Sequence, residues 1–206
     1  MSVTCIGKLW ALTSFVASVA CAVGYYFPYW LEGFYVTDNG ELVPMYFGVF
    51  RRCAYPRLGA DGRVEIVNEC GIYSSFTDIP SLYWQISTVT VGAGTCLALL
   101  LSLTSLVCLC VRDIITVKVA RTGGVLQLLA GLSVGAGVAI YPHGWDSTQV
   151  VQACGHRSSS YYPGDCSLYW AFYTTAAGAG LTILCSTVTC QAFKQKPYYQ
   201  RTAYDV

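Results

Sequence analysis

The chain has 206 residues, of which 54% are hydrophobic and only 11% charged, where an ordinary soluble domain carries roughly 25% charged residues. That composition argues against a water-soluble globule. A formal net charge of +1, with no basic patch interleaved with aromatics, gives no footprint for a nucleic-acid partner.

All 12 basic and 11 acidic residues fall outside four apolar runs, 9–28, 85–111, 122–142 and 168–193. About 20 apolar residues cross a hydrocarbon core about 30 Å thick, so each run is long enough to span. The expected fold is an all-α four-helix transmembrane bundle forming one domain over 1–206. The longest segment outside the spans, 29–84, leaves no room for a separate catalytic domain.

The segments 1–8, 112–121 and 194–206 hold Lys8, Arg112, Lys118, Arg121, Lys194, Lys196 and Arg201 against two acidic residues, while the longer segments 29–84 and 143–167 are acid-rich. The positive-inside rule therefore predicts cytosolic termini and outward-facing loops at 29–84 and 143–167. The first run contains a small-residue pattern at Ala20-Cys21-Ala22. Its length and single upstream Lys8 favour an uncleaved span over a signal peptide.

In the first outer loop, 30–36 and 42–50 flank the turn signal Asp38-Asn39-Gly40 and read as strands of a small extracellular antiparallel sheet. A two-residue turn at Asp61-Gly62 sets residues whose numbers sum to 123 opposite each other, Cys53 and Cys70 among them, at a non-hydrogen-bonded pair. The same register puts Pro56 against Val67, where proline cannot donate, so a bulge or break is expected there. Residues 74–78 read as a short helical return.

Four of the eleven cysteines lie in the outer loops, an even number in an oxidising compartment, which predicts two disulfides. Four cysteines allow three connectivities. Turn chemistry favours Cys53 with Cys70 and, around Pro163-Gly164, Cys154 with Cys166, over cross-loop pairing. These bridges read as staples rather than redox centres. Cys108 and Cys110, just before Arg112, lie where reversible palmitoylation occurs, although packing is the simpler role.

In the third run, Gly131-Leu-Ser133-Val-Gly135 matches a nucleophile elbow. It lies mid-span with no base in its helix, so Ser133 is not read as catalytic. Gly124, Gly131 and Gly135 instead suit close helix packing. His143 and His156 lack the spacing of a metal motif, and no cofactor is expected. An intramembrane enzyme would place ionisable groups inside its bundle, and the apolar runs contain none.

Trp30, Trp145 and Trp170 fall near outer ends of spans, a position that suits boundary anchoring. A sharper expectation is that Trp145 and Asp146 fix the second loop against the first, Asp146 capping a short helix or pairing with Arg51 or Arg52. At the C-terminus, Ala203-Tyr204-Asp205-Val206 has apolar residues at the last and antepenultimate positions, the pattern of a PDZ ligand anchored by Tyr204 and Val206.

Four spans with a long sheet-forming first loop resemble the claudin-like tetraspan architecture, with Trp30, Gly48-Val49-Phe50, Cys53 and Cys70 as a degenerate form of its first-loop motif. More specifically, Tyr141-Pro142-His143-Gly144-Trp145-Asp146-Ser147 is similar to a hallmark of the lipoma HMGIC fusion partner (LHFP) family. Phe50-Arg51-Arg52-Cys53-Ala54-Tyr55-Pro56, Ser75-Phe76 with Ile79-Pro80-Ser81, and Trp170-Ala171-Phe172-Tyr173 also resemble that family, especially its founding member. The resemblance implies a non-enzymatic plasma-membrane tetraspan that serves as an auxiliary or scaffolding subunit of a larger assembly such as a channel or receptor. Claudin-like adhesion between cells is the alternative.

Overall fold

The structure is a computed structural model that describes residues 5–36, 40–58, 64–110 and 117–192. Four helices are long and apolar enough to cross a membrane: α1 (Cys5–Tyr26), α2 (Leu82–Cys110), α3 (Val117–Ile140) and α5 (Trp170–Ala192). The short α4 (Thr148–Cys154) lies between α3 and α5 in sequence. The bundle closes in the order α1, α2, α3, α5, with α5 also packed on α1.

Among lipid tails there is little hydrophobic drive for one apolar helix to meet another, so close backbone approach and interhelical hydrogen bonds carry the packing. A Cβ on Gly178 would stand 3.0 Å from the Ala17 carbonyl oxygen of α1, and one on Gly94 would stand 2.8 Å from that of Ala130 on α3. Small hydroxyls tie the same faces together. Ser18 and Ser102 share a 2.8 Å hydrogen bond, Ser87 Oγ donates to the Gly137 carbonyl over 2.8 Å, and Ser133 Oγ to that of Thr90 over 2.8 Å. Large side chains such as Leu12, Val16, Val89 and Leu100 are left exposed on the outside of the bundle, as a helix facing hydrocarbon requires.

One end of the bundle carries a five-stranded sheet in the order β4-β3-β2-β1-β5. The strands are β1 (Leu31–Val36), β2 (Leu42–Phe47), β3 (Arg51–Leu58), β4 (Val64–Ile72) and β5 (Ser167–Leu168), all neighbours pairing antiparallel. β5 was not legible in the sequence; it pairs Leu168 with Leu31 and Ser167 with Glu32, so the second loop extends the sheet built by the first. The return before α2 is a single 3-10 turn, Phe76–Asp78.

The β3–β4 register departs from the two-residue Asp61-Gly62 expectation. Cys53 does face Cys70, but Tyr55 faces Val67 and Leu58 faces Val64, one residue out of step. The break lies at Ala54 rather than at Pro56: Asn68 and Glu69 together stand opposite Ala54, which adopts φ 53°. An extra residue on one strand is a β-bulge, and this one brings the two cysteines back into line. The turn itself, 59–63, lies outside the described residues, as do Asp38 and Asn39.

Candidate interaction site

The chain leaves α1 through a tight turn that ends at Trp30, the residue before β1, which is fully buried, its indole N–H donating to the Gly24 carbonyl over 2.7 Å. Trp84, in the first turn of α2, is also fully buried and donates to the Tyr141 carbonyl over 3.0 Å. The Tyr141 ring lies between these two indoles, 4.8 Å from Trp84 in a parallel stack and 4.9 Å from Trp30 edge to face. Its hydroxyl donates to the Phe47 carbonyl of β2 over 3.2 Å. A buried aromatic with a polar end needs a partner for that end, and here each partner belongs to a different element. Tyr141 therefore ties the end of α3 to the sheet and to α2.

The rest of the 141–147 motif serves the same junction. Pro142 opens a 3-10 turn, Tyr141–Asp146, that ends the α3 helix, and its carbonyl accepts from Tyr161 N over 3.0 Å. A Cβ on Gly144 would stand 2.5 Å from Trp84 Cδ1 and 2.5 Å from Ser81 Oγ; one on Gly48 would stand 2.7 Å from Pro28 Cα. His143 is held between Tyr83 and Tyr161, at 4.9 and 4.6 Å. Trp145 is 3% exposed and packs edge-on to Tyr141.

Two sequence expectations are corrected here. Trp30 and Trp145 are core residues rather than boundary anchors; of the three tryptophans only Trp170, 40% exposed, suits that role. Asp146 does not cap α4: it is exposed, and the N-cap position falls on Ser147, which makes no side-chain capping bond. Arg51 stacks over the Tyr26 ring, while Arg52 lies over Tyr73 and donates to Gln149 of α4 over 3.4 Å. Burial pushes the Tyr73 phenol above its ordinary value, against the pull of the Arg52 cation. Trp84, Tyr73 and Phe47 were missed in the sequence; Trp84 directly precedes the second apolar run as Trp30 follows the first, a position that could have drawn attention to it, whereas Tyr73 and Phe47 carry no such signal.

Two disulfides staple this end, Cys53–Cys70 with Cα atoms 4.1 Å apart and Cys154–Cys166 with Cα atoms 4.9 Å apart. The second lies beneath β1, where a Cβ on Gly33 would meet Cys166 Sγ at 2.6 Å and the Ala153 Cβ of α4 at 3.2 Å. On α3, Gly124 and Gly131 face Thr189 and Ile183 of α5, whereas nothing lies within 4 Å of a Cβ on Gly135. Tyr204 and Val206 lie outside the described residues. No group of three His, Cys, Asp or Glu that could hold a metal occurs among the described residues.

With α4 covering the inner face of β1, the opposite face is open. Phe34 pairs with Pro44 and Val36 with Leu42. Because side chains alternate along a strand, these four share one face, and Phe34, Val36 and Leu42 are 46, 60 and 66% exposed. The apolar stripe grades into Tyr46 and Glu32, themselves paired across the strands. Burial, together with the Glu32 carboxylate, pushes the Tyr46 phenol up to about 12. Tyr29 and Tyr169 pack on Tyr46 with ring centroids 5.0 and 5.6 Å away.

Comparison with known proteins matches residues 6–194 to the family model described as lipoma HMGIC fusion partner-like protein. The chain is 33% identical over 203 residues to the human LHFPL tetraspan subfamily member 2 protein, covering 92% of this chain and 88% of that protein. It is 34% identical over 197 residues to the zebrafish (Danio rerio) member 2a protein, with the same coverage of 92% and 88%. To the mouse (Mus musculus) member 4 protein it is 30% identical over 181 residues, covering 84% of this chain and 66% of that protein.

Proposed function

Since the chain belongs to the lipoma HMGIC fusion partner-like family and is a tetraspan membrane protein, we propose that it acts, without enzymatic chemistry, as an auxiliary or scaffolding subunit of a larger plasma-membrane assembly such as an ion channel or receptor. In this reading both termini are cytosolic, the sheet is extracellular, and the partner's ectodomain docks on the sheet.

The observation that carries it is the stripe Phe34, Val36, Leu42 and Pro44. Apolar side chains exposed side by side outside the membrane-spanning helices, where no lipid tail covers them, are what a protein partner can bury. This one stands on a sheet held by two disulfides and by the Tyr141 junction, so it meets a partner without first ordering itself, which lowers the cost of association.

The experiment is co-purification in mild detergent of the wild-type protein and of the double variant Val36→Lys, Leu42→Lys. A channel or receptor subunit that is retained by the wild type and by a variant charged elsewhere on the loops, but lost from the double variant, supports the proposal. Mixing two cell populations, each carrying one fluorescent label on this protein, tests adhesion. Enrichment of both labels at contacts between the populations, abolished by the same substitutions, would replace the auxiliary reading with an adhesive one.

A scaffold on the other side of the membrane is proposed to take the C-terminus, with Tyr204 and Val206 as apolar anchors of a PDZ ligand. A tail peptide should bind members of a PDZ panel and lose that binding on deletion of Val206 or amidation of the terminus. An intact peptide that binds no member removes this part of the proposal.

A further inference from the structure

At the end of the bundle away from the sheet, α1, α2 and α3 part to leave a groove of about 390 Å³, within the ~300–1,000 Å³ range of small-molecule sites. Its walls include Trp10 of α1, Leu101 and Cys108 of α2, and Val119, Gly123 and Leu126 of α3. Ser14, Gln127 and Thr189 also line it, and all three are buried. Their polar atoms are taken up by one another: Gln127 Nε2 donates to Ser14 Oγ over 2.9 Å, and Thr189 Oγ1 to Gln127 Oε1 over 3.3 Å. Ser102, Thr104 and Ser105 of α2, which line it as well, are bonded to Ser18 or to carbonyls of their own helix, so the groove offers a mainly hydrocarbon surface whose buried polar groups already have partners, which suits an apolar chain.

Charge decides what that chain is attached to. Lys118 lines the groove and is exposed. Among the described residues, the charged side chains at this end are Lys8, Lys118 and Arg121, all exposed, while every described carboxylate lies in the sheet or its loops. Basic pockets between spans at a membrane surface attract anionic lipid headgroups. We propose that the groove holds one acyl chain of an anionic glycerophospholipid from the surrounding leaflet, with its phosphate against the Lys118 ammonium. The concave groove differs in this from the convex faces carrying Leu12, Val16 and Val89, which any lipid tail covers in passing.

The test uses the full chain in lipid nanodiscs doped with phosphatidylserine or phosphatidylcholine bearing a photoactivatable acyl chain, with cross-linked peptides identified by mass spectrometry. The serine lipid should label 101–108 and 118–127 more strongly than the choline lipid by about fivefold, the worth of one basic residue at an anionic surface. A Cβ on Gly123 meets nothing within 4 Å, so Gly123→Leu should fill the groove and abolish labelling by both probes. Lys118→Glu, at an exposed position, should remove the serine preference alone, and it keeps the test decisive if Gly123→Leu fails to fold. Equal labelling by the two probes in the wild type, or labelling that Gly123→Leu leaves unchanged, would overturn the proposal. So would a hydroxylamine-labile acyl thioester on Cys108, which would make the occupant a covalent modification of the chain.

Discussion

The Trp84 indole lies parallel to the Tyr141 ring, with centroids 4.8 Å apart and an interplanar angle of 8°, and its N–H donates to the carbonyl of that same tyrosine. One residue pair thus fixes both the position and the rotation of α2 against the end of α3. Because the Tyr141 hydroxyl reaches on to Phe47, the sheet is held by the same contact.

Removing parts of this contact should have graded effects. Tyr141→Phe removes one hydrogen bond, yet the Phe47 carbonyl still accepts from Trp30 N, so the loss should be about 1 kcal/mol. Trp84→Ala opens a cavity in a fully buried site and should cost roughly 3–5 kcal/mol. Melting midpoints in detergent check both; equal, small shifts would mean that the junction does not hold the two parts together.

Non-reducing peptide mapping should recover Cys53 linked to Cys70 and Cys154 linked to Cys166. Each bridge closes a short loop, with sequence separations of 17 and 12, and losing either should cost about 3 kcal/mol in the chain-entropy account. The second bridge packs against Gly33 and α4, so Cys154→Ser with Cys166→Ser should also loosen β5. Faster amide exchange at Ser167 and Leu168 than at β2 would report that; cross-loop linkages in the map would contradict the pairing.

Ala54 supplies a change in the opposite direction. A left-handed backbone costs an L-residue roughly 1–2 kcal/mol, and glycine escapes that cost at the expense of about 0.5–1 kcal/mol of backbone entropy. Ala54 is only half-buried with φ 53°, so Ala54→Gly should be neutral to stabilising, raising the melting midpoint by about 2 °C. A clear drop would mean that the methyl group, rather than the bulge geometry, matters at this position.

The spans were legible because a helix in hydrocarbon excludes charge along its whole length, a signal twenty residues long. The strands β1 to β4 were legible from their turn signals, Asp38-Asn39-Gly40 between the first two and Asp61-Gly62 between the last two. β5 has two residues, too few for periodicity to show, and α4, with seven, was legible only as a short helix near Asp146 and without bounds; both are held by partners far away in sequence. The β3–β4 register failed for a related reason: a turn dipeptide reports only local geometry, whereas the bulge at Ala54 is set where the disulfide and the sheet meet. The tryptophans illustrate the same limit. A Trp beside a span suits a lipid boundary or a core equally, and only the position of Tyr141 places Trp30 and Trp84 inside.

Within the 141–147 motif, the least conspicuous residue should prove more sensitive than the charged one. Asp146 is exposed and does not cap α4, so Asp146→Asn should change stability by no more than about 0.5 kcal/mol, as at most surface positions. Gly144 is buried, and the added methyl of Gly144→Ala would meet Trp84 Cδ1 and Ser81 Oγ at 2.5 Å, closer than atoms pack. The indole is held by its stack on the Tyr141 ring and by its hydrogen bond to the Tyr141 carbonyl, so any shift of it strains those contacts. The methyl must therefore push α2 away from the 3-10 turn or break the Trp84 to Tyr141 hydrogen bond, at a cost of roughly 1–3 kcal/mol typical of overpacking. Thermal melting of the two variants in the same detergent decides the matter: a stable Gly144→Ala beside a crippled Asp146→Asn would show that the motif serves charge rather than close approach.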